Sequence, residues 1–106
     1  LNKFNLISKN LRKNSKIVVV GLSYKYGVSD LRNSLNLEIF KEIKKRFYNS
    51  NFYDPFVIYK NKINENKALS ANVVIFLSEG PKFKKFFKKI SGRKHFIICD
   101  PFRYYS

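Results

Sequence analysis

The sequence predicts an α/β domain, a three-layer, doubly wound and mostly parallel sheet of four to five strands. Two observations carry that prediction. Short apolar runs alternate with segments of helical period along the chain, and the most apolar of those runs, Ile17–Val20, is β-branched throughout, as a central strand covered on both faces requires. The runs are also punctuated by turn formers: Gly21 after the first, Asp54-Pro55 after the second and Ser78-Glu79-Gly80-Pro81 after the third.

In chain order, Leu1, Phe4, Ile7 and Leu11 recur at helical spacing and end at the polar Arg12-Lys13-Asn14-Ser15, which predicts a helix ahead of the first strand. Ser34 stands at an N-cap position before Leu35, Ile39, Ile43 and Phe47, so a helix over 34–47 follows. A second strand is expected over 51–53, a polar connection with at most a short helix over 59–70, and a third strand over 73–77. Pro81 then opens a segment in which Phe83, Phe86, Phe87 and Ile90 form an apolar stripe between Lys82, Lys84, Lys85, Lys88 and Lys89. By itself that segment has the pattern of a basic membrane-surface helix; in an α/β domain it is a sheet-covering helix with a solvated face. The last strand is expected over 95–99.

At 106 residues, 44% of them hydrophobic, the chain can bury one core and not two. A single cysteine excludes an internal disulfide and fits a reducing compartment, and Cys99, inside an apolar strand, is expected in the core. His95 has no partner at metal-ligand spacing and is expected on the surface. No apolar run approaches the length of a membrane span and the amino terminus has no signal-peptide h-region. The chain therefore reads as a fragment, excised or naturally separate, of a cytoplasmic protein. The net charge of +15 invites a nucleic-acid reading. Yet the lysines run through every segment beside abundant Asn, Ile, Phe and Tyr, the mixture that AT-rich coding produces, and no nucleic-acid-binding motif accompanies them.

The candidate site lies in the stretch from Lys16 to Ser34. It joins a buried strand, a loop of phosphate size carrying Lys25 and Arg32, and a helix start, an arrangement suited to an anion at the carboxyl end of a strand. Gly21 and Gly27 make no G-x-G-x-x-G, and Lys25 lacks the preceding glycine of a Walker loop, which argues against a nicotinamide or ATP cradle. Tyr24 can stack near a base or sugar, or fill core; Arg32 can hold the loop through Asp30 or reach a phosphate.

Gly21-Leu22-Ser23-Tyr24-Lys25 with Asp30-Leu31-Arg32-Asn33-Ser34 resembles the G-L-A-F-K-x-x-T-D-D-x-R-x-S-P signature of the carboxyl-terminal, nucleotide-sugar-binding domain of the UDP-glucose/GDP-mannose dehydrogenase family. Tyr53-Asp54-Pro55, Ala71-Asn72-Val73-Val74-Ile75, Phe83 and Ile97-Ile98-Cys99-Asp100 resemble later blocks of that family in the same order. Val28-Ser29 and Leu35 depart from the signature, the connection from Asp54 to Ala71 is short, and the family's D-G-R ending is Asp100-Pro101-Phe102-Arg103, one place longer. The resemblance implies a Rossmann-like fold, with residues 1–14 a lead-in from a missing upstream domain and 15–106 the nucleotide-sugar domain. It implies a UDP-sugar as ligand, with Tyr24, Lys25, Arg32, Asp100 and Arg103 as substrate-binding residues and no catalytic residue, metal or cofactor in this chain. NAD, a cysteine nucleophile and the other domains would belong to the full-length enzyme, a homo-oligomer oxidising the sugar C6 hydroxyl. A stand-alone basic module binding polyanions such as nucleic acid is the second reading, and a membrane-surface accessory the third.

Overall fold

The computed structural model describes residues 8–105, so residues 1–7 of the expected lead-in helix lie outside the described residues. Four strands, β1 (Ile17–Val20), β2 (Ser50–Tyr53), β3 (Val73–Phe76) and β4 (Ile97–Cys99), form one sheet in the order β2-β1-β3-β4. Every neighbouring pair is parallel, with Ile17 level with Ser50 and Val73, and Val73 level with Ile97. The strand expected at the centre is an inner strand, and β1 and β3 are buried along their whole length.

Among the described residues, three helices cover the sheet: α1 (Leu35–Arg46), the one-turn α2 (Glu65–Ala68) and α3 (Pro81–Ile90). Alternation along the strands splits the core into two layers. Ile17, Val19, Phe52, Val73, Ile75 and Cys99 pack with Leu37, Phe40 and Ile43 of α1. Val18, Val20, Tyr53, Val74 and Phe76 pack with Ala68 of α2 and with Phe83, Phe86 and Ile90 of α3. The stripe of α3 is thus consumed by the core, while Lys82, Lys84, Lys85, Lys88 and Lys89 face solvent. This is the sheet-covering alternative, with no apolar face left for a bilayer. Among the described residues no helix is long and apolar enough to cross a membrane.

Two details differ from expectation. On α1 the expected Ile39 and Ile43, with Phe47 after it, pack on the core beside Leu37 and Phe40, but Leu35 is 65% exposed, because the residue immediately after the N-cap points away from the sheet. At the free edge of β2, the Phe52 amide donates to the Asn61 carbonyl and the Ile63 amide donates to the Phe52 carbonyl, so residues 61–63 begin a fifth strand without completing it. Such cover blunts an edge that would otherwise offer unpaired backbone groups. Cys99 is in the core and His95 is exposed, as expected.

Candidate functional site

The loop from Gly21 to Ser34 leaves the carboxyl end of β1 on a stem built from buried polar groups. Gly21 adopts φ +91° and donates its amide to the Tyr53 carbonyl at 3.0 Å. The Leu22 amide donates to Asp54 Oδ2 at 3.0 Å, while Asp54 Oδ1 accepts from the Phe56 amide at 3.1 Å. The Leu22 carbonyl accepts from the Ser34 hydroxyl at 2.6 Å, and the same Ser34 oxygen accepts from the Leu37 amide as the N-cap of α1. Asn36 Nδ2 reaches the Ser23 carbonyl, the Leu77 carbonyl and the Ser78 hydroxyl at 2.9, 3.2 and 3.1 Å. Ser34 thus caps α1 and Asn36 ties its first turn to the ends of β1 and β3, which fixes the helix start beside the loop that carries the cations.

Asp54, at a strand end, is 2% exposed and acts on the backbone of two loops. Its replacement by alanine should lower unfolding free energy by about 1–3 kcal/mol, the cost of stranding a buried donor at Leu22. Urea denaturation checks this; an unchanged midpoint would mean that water or relaxation satisfies the amide.

The tip carries the residues singled out in the sequence. Tyr24 is 64% exposed, so it is not a core residue, and Lys25 is exposed beside it. The Lys25 carbonyl accepts from the Ser23 hydroxyl at 2.8 Å and from the Val28 amide at 3.3 Å, which closes the turn at whose third position Gly27 takes φ +82°. Arg32 grips Asp30 through Nε, 3.1 Å from both carboxylate oxygens, and through Nη2 at 2.8 Å from Oδ2. That hydrogen bonding holds the Asp30 carboxyl below its ordinary range and raises the guanidinium above its own. Of the two roles open to Arg32, the structure shows the loop-holding one, with the guanidinium fixed at the surface. Tyr24, Asp30, Arg32 and Asn33 together line a shallow cleft.

At the end of β4, Asp100 is 4% exposed, and its Oδ1 and Oδ2 accept from the Tyr104 and Tyr105 amides at 3.0 and 2.8 Å. The carboxylate expected at the substrate is thus turned onto the backbone of its own loop. Arg103 is exposed in a left-handed conformation, φ +56°, with its amide on the Asp100 carbonyl. Tyr105 reaches across to the β3–α3 loop: its hydroxyl donates to the Ser78 carbonyl at 2.9 Å and accepts from the Gly80 amide at 3.0 Å. Burial pushes that phenol up. Sequence reasoning missed Asn36, whose signal is a poor helix former placed in the first turn, and the tyrosine clamp at Tyr105, which leaves no local signal. Among the described residues no group of three His, Cys, Asp or Glu side chains could hold a metal ion.

Residues 18–105 match the UDP-glucose/GDP-mannose dehydrogenase family, UDP binding domain. The UDP-N-acetyl-D-mannosamine dehydrogenase of Pyrococcus horikoshii is 31% identical over 86 residues, which are 79% of this chain and 21% of that protein. A solved structure of the P. horikoshii UDP-D-ManNAc dehydrogenase superposes with a TM-score of 0.63 at 28% identity, over 83% of this chain and 22% of that one. The UDP-N-acetyl-mannosamine dehydrogenase of S. aureus gives 0.67 at 29% identity over the same shares. The chain thus spans about a fifth of the length of these relatives. With a match running from β1 to the Asp100 loop, the chain belongs to the UDP-glucose/GDP-mannose dehydrogenase family and corresponds to its UDP binding domain.

Proposed function

We propose that this chain is the carboxyl-terminal substrate domain of an NAD-dependent nucleotide-sugar 6-dehydrogenase of the UDP-glucose or UDP-N-acetylmannosamine type, and that by itself it binds UDP-sugar without oxidising it. The observation that carries this reading is the exposed Tyr24-Lys25 tip beside Arg32, on a stem pinned by Asp54, Ser34 and Asn36 at the carboxyl end of an inner strand. Ligands of doubly wound sheets sit beyond that end of the strands. Lys25 meets the diphosphate or the adjoining sugar, Tyr24 lies along the base or sugar, and Arg32, oriented by Asp30, adds positive charge. Asp100 serves the substrate indirectly, by fixing the loop on which Arg103 is exposed. The contribution to catalysis is orientation of the sugar toward groups carried by other domains.

On this reading NAD belongs to another domain, because this chain carries no G-x-G-x-x-G and Gly21, where a Cβ would fall 2.4 Å from Ser78 Cβ, answers to packing between two loops. NAD would supply the oxidant in the full-length enzyme, and no step through it belongs to this chain. The reading of the lysines as a nucleic-acid surface draws no support from the relatives.

The test is a titration with UDP and UDP-sugars, followed by backbone amide NMR shifts. Perturbations should cluster at 22–33, and NADH should not appear when NAD is added. No response to UDP at saturating concentration, with tight duplex DNA binding at physiological salt, would overturn the substrate reading. NADH production by the pure chain would overturn the non-catalytic one.

A further inference from the structure

Tyr26 follows Lys25 in the loop. Its ring sits edge-on to Phe56 with centroids 4.9 Å apart, and edge-on to Phe83 at 5.1 Å. Its hydroxyl accepts from the Lys82 amide at 3.3 Å, in the first turn of α3, a helix whose own N-cap residue is Gly80 and has no side chain to offer. The ring lies so close over Gly80 that a Cβ there would be 1.9 Å from Tyr26 Cδ1. Gly80 has φ 175°, ordinary extended backbone, so the ring and not the dihedral demands a glycine. Tyr26 therefore joins the β1 loop to the loop after β2 through Phe56, and to α3 through Gly80, Lys82 and Phe83. At the next residue the turn opens to solvent: nothing lies within 4 Å of where a Cβ on Gly27 would stand.

We propose that Tyr26 is a positioning residue for the nucleotide site, anchored on Gly80 and Lys82 so that the turn presents Lys25 to the diphosphate before ligand arrives. A loop held in its binding conformation loses less freedom on association, and an anchored turn fixes the point from which a long lysine side chain reaches. The inference rests on the UDP-site reading above.

The test compares UDP and uridine affinities, by NMR titration, in Tyr26→Ala, Tyr26→Phe and Gly80→Ala, each alone and combined with Lys25→Ala. Tyr26→Ala and Gly80→Ala should each weaken UDP binding about fivefold to tenfold and uridine binding about twofold at most, because only UDP carries the phosphates. In the Lys25→Ala background neither change should cost anything further, since both act through that lysine. Tyr26→Phe keeps the ring on Gly80 and should retain most of the affinity. Gly80→Ala should add nothing to Tyr26→Ala, because the ring it displaces is gone. A purely structural role would weaken UDP and uridine alike and add to Lys25→Ala; that result overturns the proposal. So does unchanged UDP affinity in Gly80→Ala and Tyr26→Ala when Lys25→Ala binds weakly, an outcome that leaves the UDP site intact. Unchanged affinity in Lys25→Ala removes the site reading and the proposal with it. If Tyr26→Ala does not fold, Gly80→Ala and Tyr26→Phe decide the matter by the same comparisons.

Discussion

Gly21→Ala is expected to lower the unfolding free energy by about 2–5 kcal/mol, the sum of a left-handed backbone cost of about 1–2 kcal/mol and an overpacking cost of about 1–3 kcal/mol. The geometry supplies both terms. Gly21 has φ +91°, and a Cβ there would stand 2.4 Å from Ser78 Cβ, 2.5 Å from Ser78 Oγ and 3.1 Å from the Ser78 amide nitrogen. Ser78 cannot swing aside cheaply, because its hydroxyl donates to the Ser23 carbonyl and accepts from Asn36 within the buried stem. The new methyl must therefore push the β1 and β3 ends apart, and the damage should reach the ligand loop as well as the core. Gly27→Ala is the control for the dihedral alone, since Gly27 shares the positive φ, +82°, but has nothing within 4 Å. It should cost only the backbone part, and Gly92→Ala, with open space and no positive φ, should cost least. Chemical denaturation of the three variants checks the order; equal losses at Gly21 and Gly27 would show that the Ser78 contact relaxes freely.

The same residues show why the strands were legible in the sequence and the site only partly so. Ile17–Val20 and Val73–Phe76 announce themselves because strands buried on both faces need unbroken apolar runs, and both are inner strands. Of the periodic positions of α1, Ile39, Ile43 and the following Phe47 pack on the core, whereas Leu35, at the helix start, fits the 3.6 period equally well while pointing into solvent. The loop carrying Lys25 was readable from the local pattern of strand, loop and helix start, whereas the exposure of Tyr24, which could equally have filled core, was decided by the fold. The stem that holds the loop was not readable: Leu22 finds Asp54 at a separation of 32 residues, and Asn36 finds Ser78 at 42. Those bonds exist only once the strand order β2-β1-β3-β4 brings three carboxyl ends side by side. Asp100 stands at a strand end, where the sequence placed it, and its carboxylate accepts from the Tyr104 and Tyr105 amides, bonds to its own loop that no motif announces.

Lys25→Ala should weaken binding of UDP or a UDP-sugar by roughly 1.5–3 kcal/mol, the range for a hydrogen bond to a charged group. The change should leave folding nearly untouched, because Lys25 is exposed and only its carbonyl is bonded, to the Ser23 hydroxyl and the Val28 amide, both of which alanine retains. The matched control is Lys62→Ala. Lys62 is exposed on the connection beyond β2, and its ammonium makes only a long contact, 3.5 Å, to the Pro55 carbonyl. Both variants remove one charge from a chain of net charge +15, so any general attraction of a polyphosphate to a basic protein falls equally in the two. The difference between them isolates the local contact. The difference should also persist as salt is raised, whereas the shared part shrinks with screening, since the Debye length falls from about 10 Å at 0.1 M to about 3 Å at 1 M. Calorimetric titration of both variants at two ionic strengths gives the answer. Equal affinities would mean that the Tyr24-Lys25 tip marks no nucleotide site in this chain, and that what it shares with its dehydrogenase relatives is the fold alone.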